Sequence, residues 1–254
     1  MQLTEYIREA RTQKEILLMT HLVLGYPDFT VNREVIWQMV KNGVDLIEMQ
    51  IPFSEPVADG PMILKANQES IDQGTTVRQC FDFAAEITSQ HQIPFLFMTY
   101  YNILFKYGVE KFLNKAAKIG IQGLIVPDLP PEEGEEYLTL CKKIGLAPIM
   151  IYAPTSTEER MRQLADHADG FIYCVARRGV TGKKTDFSQD FSEYMARCSR
   201  ATDLPLAVGF GISNREDVRF LVGKGDIAVI GTRTIQLVNE RGAAAVGPFI
   251  AGLR

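Results

Sequence analysis

Two patterns alternate along the chain. Short apolar runs rich in β-branched residues recur eight times: LLMTHLVL (17–24), DLIEMQI (45–51), PFLFMTY (94–100), QGLIVP (122–127), APIMIYA (147–153), GFIYCV (170–175), PLAVGF (205–210) and DIAVIG (226–231). Each is bounded by turn residues, as buried strands are. Between them, apolar positions at helical spacing predict helices near 30–42, 76–90, 108–119, 132–144, 157–166, 188–199 and 213–223, with a last helical region from 232 onward. TEER (157–160) suits a helix start, and SNRE (213–216) reads as a Ser-x-x-Glu capping box. Gly43, Gly120, Gly145 and Gly223 fall where helices should stop.

Eight strand–helix units in 254 residues have the size and rhythm of a (β/α)8 TIM barrel, an α/β fold in which helical crossovers make every strand parallel. An open doubly wound sheet is the alternative. No linker or low-complexity segment divides the chain, so one barrel domain over 1–254 is expected.

Composition narrows the partners. Hydrophobic residues at 46% and charged residues at 23% suit a soluble globular protein. No apolar run approaches the ~18 residues of a spanning helix, so no membrane partner is expected. The N-terminal MQLTEYIREARTQK is polar and helix-like, without the apolar stretch of a signal peptide, and a cytoplasmic protein is the expectation. Net charge is −4 with no basic block, which argues against nucleic acid. Cys80, Cys141, Cys174 and Cys198 are far apart, form no CxxC and have no metal-type pairing with histidine, so they read as reduced and structural.

IEMQIPFSEPVADGP (47–61) places carboxylates at an unexpected point. Side chains alternate along a strand, so if Ile47 and Met49 pack under the helices, Glu48 points into the barrel. It lies near the strand's C-terminal end, where barrel enzymes place their chemistry, and Asp59 follows in the loop leaving the same strand. A buried acid satisfied by a neighbour, and a turn aspartate bonding its own backbone, are the plainer readings of the two.

GFGIS (209–213) and GTRT (231–234) leave the seventh and eighth strands and open helices, and RRGVTG (177–182) follows the sixth. Glycine lets a ligand approach the backbone, and helix N-termini offer free N–H groups to an anion. Three such loops in succession point to a phosphate monoester. Aromatic and apolar residues at other strand ends, Tyr100, Ile125, Tyr173 and Phe210, would fill a core or line a flat apolar pocket.

IPFSEPVADGP, PDLPPEE (127–133), RRGVTG, GFGIS and IGTR occur in the order and spacing of the tryptophan synthase alpha subunit family, which the chain resembles over nearly its whole length. The resemblance implies a (β/α)8 barrel that cleaves indole-3-glycerol phosphate to indole and glyceraldehyde 3-phosphate. It further implies a partner beta subunit that receives the indole in an αββα complex and holds pyridoxal phosphate, with neither cofactor nor metal in this chain. It puts the general acid/base at Glu48 and the second catalytic carboxylate at Asp59. Phosphate contacts fall on Gly182, Gly211, Gly231 and Thr232, the indole pocket on Met98, Tyr100, Ile125, Tyr173 and Phe210, and the lid threonine on Thr181. A free-standing lyase of the same fold and a non-catalytic regulatory subunit are the rival readings.

Three departures from the family pattern stand out. Thr20–His21 replaces a common proline–phenylalanine, which sets His21 at the border of the indole pocket as a satisfied core histidine or a polar wall. Glu55 stands where aspartate is usual, in a loop expected to meet the beta subunit. Arg178 and KKTDFS (183–188) fill a variable lid, in which Lys183 and Lys184 are expected to be solvated.

Overall fold

The computed structural model describes residues 2–175, 189–209 and 211–254, with only the backbone of Gln189. The strands are β1 (Leu17–Val23), β2 (Leu46–Gln50), β3 (Phe95–Met98), β4 (Ile121–Ile125), β5 (Ala147–Tyr152), β6 (Ile172–Val175), β7 (Leu206–Gly209) and β8 (Ile227–Ile230). They pair in parallel in chain order, and β8 closes on β1, with Met19 opposite both Leu46 and Val229. The barrel reading is correct and the open sheet is excluded.

Alternation along the strands sorts the core into two layers. Leu17, Met19, Leu46, Leu96, Ile149 and Ile227 fill the interior. Leu18, Ile47, Met49, Phe97 and Val208 face the surrounding helices. Both faces are buried, which is why the strands read as nearly continuous apolar runs. The N-terminal helix α1 (Leu3–Gln13) closes the lower end, where Leu3 and Ile7 join the interior cluster. Asp45, 2% exposed, ties that end together: it accepts from the Leu18 amide at 2.8 Å and pairs with Lys14 and Arg254.

The outer helices are α2 (Phe29–Lys41), α3 (Pro61–Asp72), α4 (Val77–Gln90), α5 (Tyr101–Tyr107), α6 (Val109–Lys118), α7 (Glu135–Ile144), α8 (Glu158–Ala165), α9 (Gln189–Ala201), α10 (Arg215–Leu221), α11 (Thr232–Arg241) and α12 (Val246–Ala251). Thr157 caps α8, its hydroxyl accepting from the Arg160 amide at 3.2 Å. At α10 the cap lies one residue later than SNRE suggests. Asn214 accepts from the Asp217 amide at 2.9 Å, and Asp217 reaches back to the Asn214 amide at 3.2 Å. Gly43, Gly120, Gly145 and Gly223 all have positive φ, the backbone a helix-ending glycine supplies.

Two helices escape a reading of periodicity. The buried positions of α3 are Ala66, Asn67 and Ser70, small or polar rather than apolar. They are polar because they satisfy loop backbone: Asn67 accepts from the Phe53 amide at 2.9 Å and Ser70 donates to the Leu24 carbonyl at 2.7 Å. Seven-residue α5 shows too little of a repeat before Gly108 (φ 91°) redirects the chain into α6. The four cysteines are free and buried. Among the described residues no helix is long and apolar enough to cross a membrane.

Candidate active site

Strand alternation turns Leu46, Glu48 and Gln50 inward from β2. Glu48 is 4% exposed, and the parallel register sets it beside His21 of β1. The His21 Nδ1 to Glu48 Oε1 distance is 2.5 Å. Among the described residues, Glu48 Oε2 and His21 Nε2 are buried without a hydrogen-bond partner. His21 is therefore only half the satisfied core histidine considered from sequence: one nitrogen is bonded, and the residue lines a cavity.

Asp59 stands in the loop between β2 and α3, but its side chain does not merely cap that turn. Oδ2 accepts from Gln50 Nε2 at 2.6 Å and from the Tyr100 hydroxyl at 3.2 Å. Burial raises its carboxyl above the ordinary aspartate value, against the opposing pull of the Gln50 bond, His21 and Tyr100. Burial, joined by the charges of Glu48 and Asp59, holds the Tyr173 hydroxyl far above its usual range, so it stays protonated.

One cavity at the C-terminal ends of the strands is lined by His21, Glu48, Asp59, Met98, Ile125, Tyr173, Gly211, Gly231 and Thr232. Thus the two carboxylates, three of the apolar positions and three of the glycine-loop positions meet there. Tyr100 lies one layer back, fully buried, stacked on Phe53 at 5.0 Å and bonded to Asp59. Phe210, Thr181 and Gly182, like Lys183 and Lys184, lie outside the described residues.

Sequence reasoning missed Ile63, Ile151, Gly209 and Val229 on the same wall, and Gln50 behind it. Gln50 could have been found, since it follows Glu48 by two positions on a strand. Gly209 is needed for packing: a Cβ there would sit 2.8 Å from the Tyr173 ring.

At the glycine-lined end of the cavity, α11 offers a freer helix N-terminus than α10. Gly231 is the N-cap of α11, which has no acidic residue in its first turn. The first turn of α10 carries Glu216 and Asp217, and Asp217 Oδ2 already takes the Ser213 amide at 2.8 Å. Gly211 therefore does not open a helix. It contributes a positive-φ turn (74°) in the loop before α10. Among the described residues no three of His, Cys, Asp and Glu form a group able to hold a metal ion.

A closed (β/α)8 barrel with paired carboxylates and a glycine-lined helix N-terminus in one cavity at its C-terminal face defines a barrel enzyme acting on a small anionic substrate. The family model described as tryptophan synthase alpha chain matches residues 7–246, and the chain belongs to that family. It is 65% identical over 254 residues to the tryptophan synthase alpha chain of Desulfotalea psychrophila, covering 100% of both chains. It is 57% identical over 248 residues to that of Syntrophotalea carbinolica, with 98% of each covered. Among solved structures it resembles a tryptophan synthase of M. tuberculosis in an aminoacrylate-bound form (TM-score 0.88, 29% identity, 99% of each chain). It also resembles the tryptophan synthase complex from Pyrococcus furiosus (TM-score 0.84, 27% identity, 93% of this chain and 97% of that one).

Proposed function

We propose that the chain is the alpha subunit of tryptophan synthase and cleaves indole-3-glycerol phosphate to indole and glyceraldehyde 3-phosphate by a retro-aldol reaction. The observation that carries this reading is the shared cavity: two carboxylates from β2 and its following loop, apolar strand ends, and the N-terminus of α11. Each part answers a need of the substrate.

Glu48 protonates the ring carbon that bears the side chain, which gives an indolenine with positive charge at the ring nitrogen. It then takes the proton of the adjacent side-chain hydroxyl. The carbonyl forms, the carbon–carbon bond breaks, and the bonding electrons return to the ring, so Glu48 ends in its starting protonation state. Asp59, ionised, accepts the ring N–H and balances the developing charge. Met98, Ile125 and Tyr173 hold the ring, and Gly211, Gly231 and Thr232 hold the phosphate by backbone N–H groups and the dipole of α11. The family resemblance assigns Thr181 to the lid, Gly182 to the phosphate and Phe210 to the ring, and all three lie outside the described residues. The proton transfers and charge balance use side chains alone, so no metal or cofactor is assigned to this chain.

The partner is a beta subunit carrying pyridoxal phosphate, in an αββα complex in the cytoplasm. Support comes from the family and from apolar side chains left in water on the segments leaving β2 and β3: Val57 (82% exposed), Leu64 (48%) and Phe105 (67%). Val57 and exposed Glu55 share the loop that carries Asp59, so a partner docked there acts directly on the segment that bears the acid. The test is indole release from indole-3-glycerol phosphate, with and without a cognate beta subunit. Indole formation that rises on titration supports both parts. Absence of indole in either case refutes the activity, and indole formation with no complex and no change in rate refutes the partnership.

A further inference from the structure

The family pattern usually has phenylalanine where this chain has His21, so the contact between His21 and Glu48 is a departure to be explained. The geometry points to His21 as a positioning residue for Glu48, holding Oε1 so that Oε2 is the oxygen that exchanges the proton with the substrate. This rests on the activity proposed above.

Three observations converge on it. First, adjacent parallel strands set the two residues in register, and Nδ1 lies 2.5 Å from Oε1, within hydrogen-bond reach. Second, Oε2 has no partner among the described residues although both residues line the cavity. Third, His21 is 3% exposed, so the imidazole and its bond to Glu48 are shielded from bulk solvent.

The role follows from the chemistry. A carboxyl that gives a proton to carbon and takes one from a neighbouring oxygen must present one oxygen to both sites. The terminal torsion of an unrestrained glutamate is broad, which would let the two oxygens exchange. A donor on Oε1 removes that freedom before substrate arrives.

The same contact bears on the charge of His21. Burial disfavours the imidazolium, but the hydrogen bond and charge of Glu48, with the charge of Asp59, raise its pKa above 6.5. Tyr173 on β6 is the other titratable side chain of the described cavity wall, and it stays protonated. Gly231 and Val229, from β8 and its end, bring no charge.

Two amides separate the nitrogens of His21. Asparagine places an N–H near the position of Nδ1, and glutamine places one near Nε2, while neither titrates. Steady-state cleavage of indole-3-glycerol phosphate across the neutral pH range is measured for wild type, His21→Asn and His21→Gln, with circular dichroism to confirm folding. The expected result is that His21→Asn keeps kcat within ~3-fold while His21→Gln loses ~10-fold or more at little-changed KM, the scale of a misplaced catalytic group. Both variants lose an ionisation above pH 6.5 that wild type shows in kcat. The role is overturned if glutamine restores activity better than asparagine, or if both variants match wild type in rate and pH profile. Wild type that releases no indole refutes the proposed activity instead, which keeps the two failures distinct.

Discussion

Gln50 Nε2 donates to Asp59 Oδ2 at 2.6 Å, tying the last residue of β2 to the loop that leaves it. Gln50 is fully buried, so its amide is a fixed anchor, and the Tyr100 hydroxyl adds a second bond to the same oxygen at 3.2 Å. The acid is held by side chains from β2 and the end of β3. Gln50→Leu, similar in volume but without the donor, is expected to lower kcat/KM by ~10-fold or more as Asp59 loses its place. Tyr100→Phe, which removes the weaker bond and leaves the ring stacked on Phe53, is expected to cost less. Kinetics of indole release on both variants check the order.

Asp59 also sets opposite demands on stability and activity. Its carboxyl is raised above 3.8, chiefly by burial, so the folded state favours the protonated form. That contribution to stability is fully present below the unfolded value and is lost as pH rises through the folded one. At neutral pH the ionised acid is thus a burden on the fold. Asp59→Asn is expected to keep or raise the thermal midpoint at neutral pH while cutting turnover severely. In wild type, activity should fall as pH drops through the raised value. Thermal unfolding of wild type and variant at neutral and acid pH, beside their rates, checks both signs.

Much of this was legible in the sequence, and the exceptions have physical causes. The eight strands were plain because both faces of each are buried, and the inward turn of Glu48 followed from alternation about Ile47 and Met49. Helix α3 was not legible, because its buried face of Ala66, Asn67 and Ser70 serves loop backbone and carries no apolar stripe. The partner of Glu48 was hidden for another reason. Which residue of β1 lies beside it depends on strand register, and register is fixed by closure of the barrel rather than by either segment. Spacing likewise made Gly211 look like a helix opener, although the side chains of Asn214 and Asp217 start α10 further on.

Gly231 offers a test of the proposed anion cradle at a position without a positive φ. Its φ of −108° lies outside the left-handed region, and among the described residues a Cβ there would meet only His21 and Ile63, at 3.7 and 3.9 Å. Gly211, at φ 74°, would confound the result with strain. Gly231→Ala is expected to fold normally and to raise KM for indole-3-glycerol phosphate and the inhibition constant of glycerol phosphate together, by ~10-fold. Unchanged constants for both would place the phosphate elsewhere.

Asp45 predicts a purely structural effect far from the cavity. Asp45→Ala leaves the buried Leu18 amide unpaired and frees Lys14 and Arg254 at the lower end of the barrel. The expected loss is about 2 kcal/mol of stability, the scale of an orphaned buried donor, with kcat little changed. Denaturant unfolding beside an activity assay separates the two.

The proton-transfer role of Glu48 is the central claim, and Glu48→Gln tests it most directly because the amide keeps the shape but cannot exchange a proton. The measurement is the single-turnover rate of indole release from indole-3-glycerol phosphate, with the variant shown to be folded and to bind glycerol phosphate as wild type does. A fall of at least ~10²-fold is predicted, the usual contribution of a general acid/base. A folded, ligand-binding variant that releases indole at the wild-type rate would contradict it.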